Sequence, residues 1–388
     1  MKRIYFDNNA TTPVASEVLE AMLPCYVEVF GNPSSVHRFG REAKAVLDQA
    51  RQQVAHLLGA EPSEIVFTSG GTESDNLAIR GIIECSARAR KHIITTQIEH
   101  HAVLHTCQAL QKIGVEVTYL KVDGKGRVDP EEVRKSISPD TLLVSVMHAN
   151  NEIGTVQPIR EIGEIAREHD IYFHTDAVQA VGKLPLDVNE LGVDLLSVAG
   201  HKFHAPKGIG ALYVRKGTRL HPLFTGGGHE RNRRAGTENV AHLAGLGAAA
   251  ELARTQPAEL LRDMASLRDS FESTVMEKIP EVSVNGDLEL RLPNTSNLQF
   301  ADVESEAMVI NLDLSGVACS TGSACSSGSI EPSHVLLALG YSTEEAFHSI
   351  RFSFSRYTTQ EEVDEVVHLL PTIVRRLRLM TPQGIAKY

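Results

Sequence analysis

Three side chains in this sequence could share one chemistry: Asp176, Lys202 and Cys325. Asp176 closes the run Ile171-Tyr172-Phe173-His174-Thr175-Asp176. Lys202 follows a second apolar run, Val193 to Val198, in Ser197-Val198-Ala199-Gly200-His201-Lys202. If both runs are strands of an α/β sheet, their carboxyl ends converge on one crevice. An acid and an amine delivered there are the minimum equipment for pyridoxal phosphate: the acid keeps the ring nitrogen protonated and the amine forms the Schiff base. Cys325 lies in Ser320-Thr321-Gly322-Ser323-Ala324-Cys325-Ser326-Ser327-Gly328-Ser329, a composition suited to a mobile, accessible thiol. The set points to a cofactor enzyme that hands something to a cysteine.

Other positions extend this reading. In Phe67-Thr68-Ser69-Gly70-Gly71-Thr72-Glu73 a strand ends, two glycines follow and a helix opens. Backbone amides near Gly71 and the Thr72 hydroxyl could cradle a phosphate at that helix start; an ordinary capped turn explains the same residues. His100, in Glu99-His100-His101-Ala102, follows the strand His92–Thr96 and could lie on an aromatic ring and move protons, or simply cap the next helix. Asn151 follows another buried-looking strand and could donate to a ring oxygen or a carboxylate, or belong to a plain turn. His201 and His204 stand three residues apart, but no acidic or cysteine partners lie near them, so no metal site is expected.

Positioning these groups requires alternating elements. Apolar residues from Ala43 to Leu58 recur at helical spacing, with Arg51, Gln52 and Gln53 largely off the stripe, which predicts an amphipathic helix over about 36–59. Strands are expected at Glu64–Ser69, His92–Thr96, Val115–Leu120, Thr141–His148, Ile171–Asp176, Val193–Val198 and Ile209–Val214. Helices are expected at Glu73–Ile83, Ala102–Ile113 and Ile159–His169. The alternation predicts an α/β fold with a mostly parallel seven-stranded sheet covered on both faces. After about residue 255, helices at Ala258–Lys278 and Thr359–Leu379 flank strands at Thr295–Phe300 and Ser349–Ser355, a smaller α+β domain. The expected division is a large domain over 15–255 and a small one built from 1–14 and 256–388, carrying a cysteine loop at about 318–332.

Composition narrows the setting. The 388 residues are 42% hydrophobic, enough for a large core and against disorder. A net charge of −11 favours neither nucleic acid nor an anionic membrane. No stretch approaches the roughly 20 apolar residues of a membrane span, and Met1-Lys2-Arg3-Ile4-Tyr5 opens no signal-peptide pattern. Five scattered cysteines form no disulfide framework, so a reducing cytoplasm is expected.

Most of the chain resembles the cysteine desulfurases, pyridoxal-phosphate enzymes of fold type I, and most of all their NifS/IscS group. The resemblance begins at Tyr5-Phe6-Asp7-Asn8-Asn9-Ala10-Thr11-Thr12-Pro13 and Phe30-Gly31-Asn32-Pro33-Ser34-Ser35. It runs through the motifs above, Gly226-Gly227-Gly228-His229-Glu230 and Arg234-Ala235-Gly236-Thr237. It ends with Gly322-Ser323-Ala324-Cys325 and Ser349-Ile350-Arg351-Phe352-Ser353. It implies that Lys202 is the Schiff-base lysine, Asp176 the pyridinium partner, Gln179 a donor to the ring hydroxyl oxygen and His100 the ring-stacking proton carrier. Thr72 and His201 resemble phosphate ligands, and Thr237 one that reaches in from the second subunit of a homodimer. Asn151 and Arg351 resemble ligands of the substrate carboxylate.

The resemblance further implies conversion of L-cysteine to L-alanine, with sulfur passing to Cys325 as a persulfide and then to an acceptor protein such as an iron–sulfur scaffold. Ala199 departs from the family, which often has a serine there as a further phosphate donor; loss of one neutral hydrogen bond costs about 1 kcal/mol. Cys319, six residues before Cys325, reads as a small buried residue rather than a second carrier. Alternatives are a selenocysteine lyase, another fold type I enzyme such as an aminotransferase, which would not need Cys325, or a docking scaffold in cluster assembly.

Overall fold

The computed structural model describes residues 3–322 and 331–380. Cys325 therefore lies outside the described residues. In chain order the strands are β1 (Ile4–Tyr5), β2 (Ile65–Thr68), β3 (His92–Thr96), β4 (Glu116–Leu120), β5 (Thr141–Ser145), β6 (Tyr172–Asp176), β7 (Leu195–Ala199), β8 (Gly210–Val214), β9 (Val282–Val284), β10 (Thr295–Phe300), β11 (Val317–Ala318) and β12 (Ser349–Ser353).

Seven of them form one sheet in the order β2-β8-β7-β6-β5-β3-β4. β3, β4, β5, β6 and β7 pair in parallel, and β8 runs antiparallel to both of its neighbours. This is a fold type I sheet. The strands buried on both faces, β2, β3, β5, β7 and β8, are rich in apolar and β-branched residues, whereas β4 at the sheet edge is largely half-buried. β5 stops at Ser145, short of the expected His148, and β7 extends through Ala199. Lys202 therefore sits in the short 3-10 turn Gly200–Lys202 that leaves the strand.

The helix Arg38–Leu58 forms as expected and ends at Gly59, whose φ of 68° suits glycine. Arg51 corrects the expectation: it is buried on this helix rather than turned to solvent, and its guanidinium meets Glu230 in a bidentate pair at 2.8 and 2.7 Å. The helix Val240–Thr255 was not expected. It is apolar almost all round and shows no stripe, because it packs between Arg38–Leu58 and Ser16–Met22. Its Gly245 and Gly247 allow that approach: a Cβ added at Gly245 would lie 2.7 Å from Met22 Sδ, and one added at Gly247 would lie 2.7 Å from Ala50 Cα and closer still to Gln53 Oε1.

A second layer contains the antiparallel sheet β12-β10-β9, covered by the helices Ala258–Lys278 and Gln360–Met380. Ile4 and Phe6 belong to the same core as Phe271, Phe352 and Phe354, with Phe6 and Phe354 edge to face at 4.8 Å. β1 pairs in parallel with β11. The first residues of the chain thus bind to its last third, and the segment that follows, Asp7 to Thr12, is drawn across the carboxyl ends of the large sheet.

Candidate active site

At those carboxyl ends lies a cavity of about 470 Å³. β6 delivers Asp176 to it and the turn after β7 delivers His201 and Lys202. The helix Gly71–Cys85 begins at its wall, and His100 enters as the N-cap of the helix His101–Gln111. Asn151, Gln179 and Arg351 complete the group. The structure thus gathers Gly71, Thr72, His100, Asn151, Asp176, Gln179, His201, Lys202 and Arg351 from the length of the chain. Thr237 is exposed and does not line this cavity in its own chain. Ser320 and Gly322 lie on the wall, Ser320 exchanging backbone hydrogen bonds with Arg351 at 3.1 and 2.7 Å. The described chain thus reaches the cavity three residues before Cys325.

The electrostatics follow from burial. Lys202 Nζ donates to the carbonyl oxygens of Asn9 at 2.6 Å and Ala10 at 2.8 Å, so its surroundings are more polar than an apolar crevice. Desolvation, and then the Arg351 guanidinium, bring its amine down to about 8 against the pull of Asp176 and Asp7. Burial raises the Asp176 carboxyl, which accepts from Val178 N–H at 2.9 Å. Beside it Asp75 is raised well above the carboxylate range, by burial and then by Asp176 itself. Two adjacent buried carboxyls cannot both ionise cheaply, so the proton rests on Asp75 and the charge on Asp176. Burial and then Lys202 hold His100 down at about 4. Its Nδ1 accepts from Ala102 N–H at 3.1 Å, which places the proton of the neutral ring on Nε2.

Sequence reasoning missed several members. Asp7 pairs with Arg351 at 2.8 Å, while Arg351 also donates to Asn151 O at 2.9 Å and keeps a buried Nε without a partner. Asn9 accepts from both Lys202 and Gln179 through one carbonyl. Glu99 is fully buried, accepts from Thr96 Oγ1 and Met147 N–H, and is raised to about 8 by burial. Only the resemblance quoted for Asp7-Asn8-Asn9 pointed towards this strip, because its contacts are with residues far along the chain. Among the described residues no cluster of histidine, cysteine or acid could hold a metal.

The residues fit pyridoxal phosphate. The start of Gly71–Cys85 has no side-chain cap, and its Gly70 has φ 149°. A Cβ at Gly71 would lie 2.8 Å from Val178 Cγ2, so a larger residue there would have to displace the Val178 side chain. That leaves helix N–H groups and Thr72 facing the cavity for an anion. Asp176 supplies a buried negative charge for a ring nitrogen, and Lys202 a half-buried amine of lowered basicity. Arg351 offers a guanidinium for a carboxylate.

Comparison with known proteins agrees. The aminotransferase class-V family model matches residues 4–366. The chain is 53% identical over 383 residues to a protein named cysteine desulfurase IscS from Dictyoglomus turgidum, covering 98% of this chain and 97% of that one. It is 54% identical over 387 residues to a protein of the same name from Methanosarcina thermophila, covering 100% and 96%. Among solved structures, a NifS-like protein superposes with a TM-score of 0.91 at 40% identity, covering 97% of this chain and 100% of that one. A chain described as SspA in complex with cysteine does so at 0.82 and 42%, covering 92% and 100%. The chain belongs to the aminotransferase class-V family and, within it, to the NifS/IscS-like group.

Proposed function

We propose that this protein is a pyridoxal-phosphate-dependent cysteine desulfurase that converts L-cysteine to L-alanine and moves the sulfur onto Cys325 as a persulfide. The observation that carries the reading is the meeting of a half-buried amine, Lys202, with a buried carboxylate, Asp176, in one cavity that also offers an uncapped helix start. Gly71, Thr72 and His201 would hold the phosphate, Asp176 the ring nitrogen and Gln179 the ring oxygen. Arg351 and Asn151 would take the substrate carboxylate, with Arg351 shared between that carboxylate and Asp7. When bound, the cofactor supplies an electron sink for the pair left on Cα.

The chain's own groups do the rest. Lys202 Nζ removes the Cα proton, for which an amine near 8 is well matched to neutral pH. His100 holds a donatable proton on Nε2. Cys325, as thiolate, attacks the substrate sulfur, the Cβ–S bond breaks, the electron pair left on Cβ takes a proton, and Lys202 returns a proton to Cα to give alanine. The Ser/Gly composition around Cys325 suits delivery first to the cavity and then to an acceptor protein, with iron–sulfur cluster assembly as the proposed destination. A homodimer is part of the proposal: Thr237, exposed and away from its own cavity, would reach the partner's phosphate site. A reducing cytoplasm is the proposed setting, in keeping with the free cysteines 25, 85, 107 and 319. No helix among the described residues is long and apolar enough to cross a membrane.

Borohydride reduction followed by peptide mass spectrometry tests the reading. The cofactor's mass should remain on the peptide holding Lys202, and Lys202→Ala should lose both that adduct and alanine formation. An adduct at another lysine, or turnover in the variant, would overturn it.

A further inference from the structure

Lys183 is a lysine with almost no access to solvent, 7% exposed, and none of the ion pairs among the described residues involves it. Its Nζ donates to Gln179 Oε1 at 2.8 Å. The two residues lie four apart in the turns that follow β6, where Val181 N–H bonds Ala177 O and Leu184 N–H bonds Ala180 O. On the other side of the amide, Gln179 Nε2 donates to Asn9 O at 2.9 Å, the same oxygen that receives Lys202 Nζ.

A primary amide can present its oxygen or its nitrogen to a neighbour, and here the acceptor-only Asn9 carbonyl at one end and the Lys183 nitrogen at the other select the same orientation. An ammonium at one end can bond only to the oxygen, and a neutral amine can also donate to it, so Lys183 reinforces the orientation that the Asn9 carbonyl selects. Oε1 is then held away from the cavity and both N–H groups face Asn9 and the cavity. Burial, and then Lys202 and Arg351, bring the Lys183 amine down to about 7, and it remains a donor in either protonation state.

From this arrangement we propose that Lys183 is a positioning residue, fixing the Gln179 amide with its N–H groups towards the cofactor's ring oxygen. The inference rests on the proposed role of Gln179. It explains a lysine at a depth where an apolar residue would cost less to bury.

The test is a double-mutant cycle read as the dissociation constant of pyridoxal phosphate, with urea midpoints recorded for each apoprotein. Gln179→Ala alone should weaken binding about tenfold, as loss of one well-placed hydrogen bond does. Lys183→Met, similar in length and apolar, should weaken it by a comparable factor in the parent. In the Gln179→Ala background it should change it by less than about twofold, because the amide it positions is gone. If Lys183→Met does not fold, Lys183→Leu takes its place in the same cycle. Equal factors for the lysine substitution in both backgrounds would overturn the inference and leave Gln179's role standing. No effect of Gln179→Ala would overturn the role of Gln179 instead.

Discussion

Glu230→Ala should destabilise the protein by about 3–5 kcal/mol, the cost of stranding one partner of a buried ion pair. The side chains of Arg51 and Glu230 are only 7% and 3% exposed. Glu230 accepts two hydrogen bonds from Arg51, at 2.8 and 2.7 Å, and a third from Phe67 N–H at 2.9 Å. Alanine would leave the guanidinium with the Ile65 carbonyl at 2.8 Å and the face of Phe67 at 4.4 Å, neither of which carries a compensating charge. The local backbone adds to the effect. Glu230, Arg231 and Asn232 have φ of 45°, 56° and 63°, a left-handed run without glycine that persists only where surrounding contacts hold it. Because the same carboxylate fixes Phe67, whose strand leads into Gly70 and Gly71, the variant should also release pyridoxal phosphate more readily. Urea denaturation followed by far-UV circular dichroism measures the first effect, and gel filtration followed by cofactor absorbance the second. Arg51→Met with Glu230→Leu, which removes both charges, should recover most of the stability. A loss below about 1 kcal/mol for Glu230→Ala, or a double variant no better than the single, would refute the reasoning.

Stability should also fall on both sides of a mid-pH maximum. Burial holds His148 at about 4 and His174 at about 3, so the stability they carry is present above the ordinary histidine value and is lost as the pH drops towards those figures. Glu99, raised to about 8, contributes most at acid pH and loses its contribution as the pH climbs through 8. Urea midpoints flat from pH 4 to 9 would contradict both assignments. Cys319→Ser should retain most sulfide release: the thiol is half-buried, and burial and then Asp7 push it up to about 12, so little thiolate forms. A drop as deep as that of Cys325→Ala would show that Cys319 also carries sulfur.

What the sequence made legible was what local pattern encodes. Runs rich in β-branched and aromatic residues are local patterns, so β3 and β6 were found with bounds correct to a residue or better; β10 was too, although only Leu298 and Phe300 in it are apolar. Asp176 and Lys202 stood out because each follows such a run. The helix Val240–Thr255 stayed hidden because burial on nearly all sides erases the periodicity that marks a helix. Arg51 was misjudged because its partner lies 179 positions away, and no local rule foresees a buried charge paired at that distance. Asp7 and Asn9 escaped as site members for the same reason: their place depends on β1 joining β11 and drawing the first residues over the sheet. The direction of β8 was also invisible, since an apolar run has no polarity.

The central claim, that sulfur from L-cysteine reaches the enzyme at Cys325, is tested most directly by mass spectrometry of the loop peptide after mixing the holoenzyme with one equivalent of L-cysteine. The peptide holding Cys325 should gain one sulfur atom while one alanine forms. Cys325→Ala should still bind the cofactor and L-cysteine but form neither persulfide nor alanine. A persulfide on another cysteine, or undiminished alanine production by Cys325→Ala, would contradict the account.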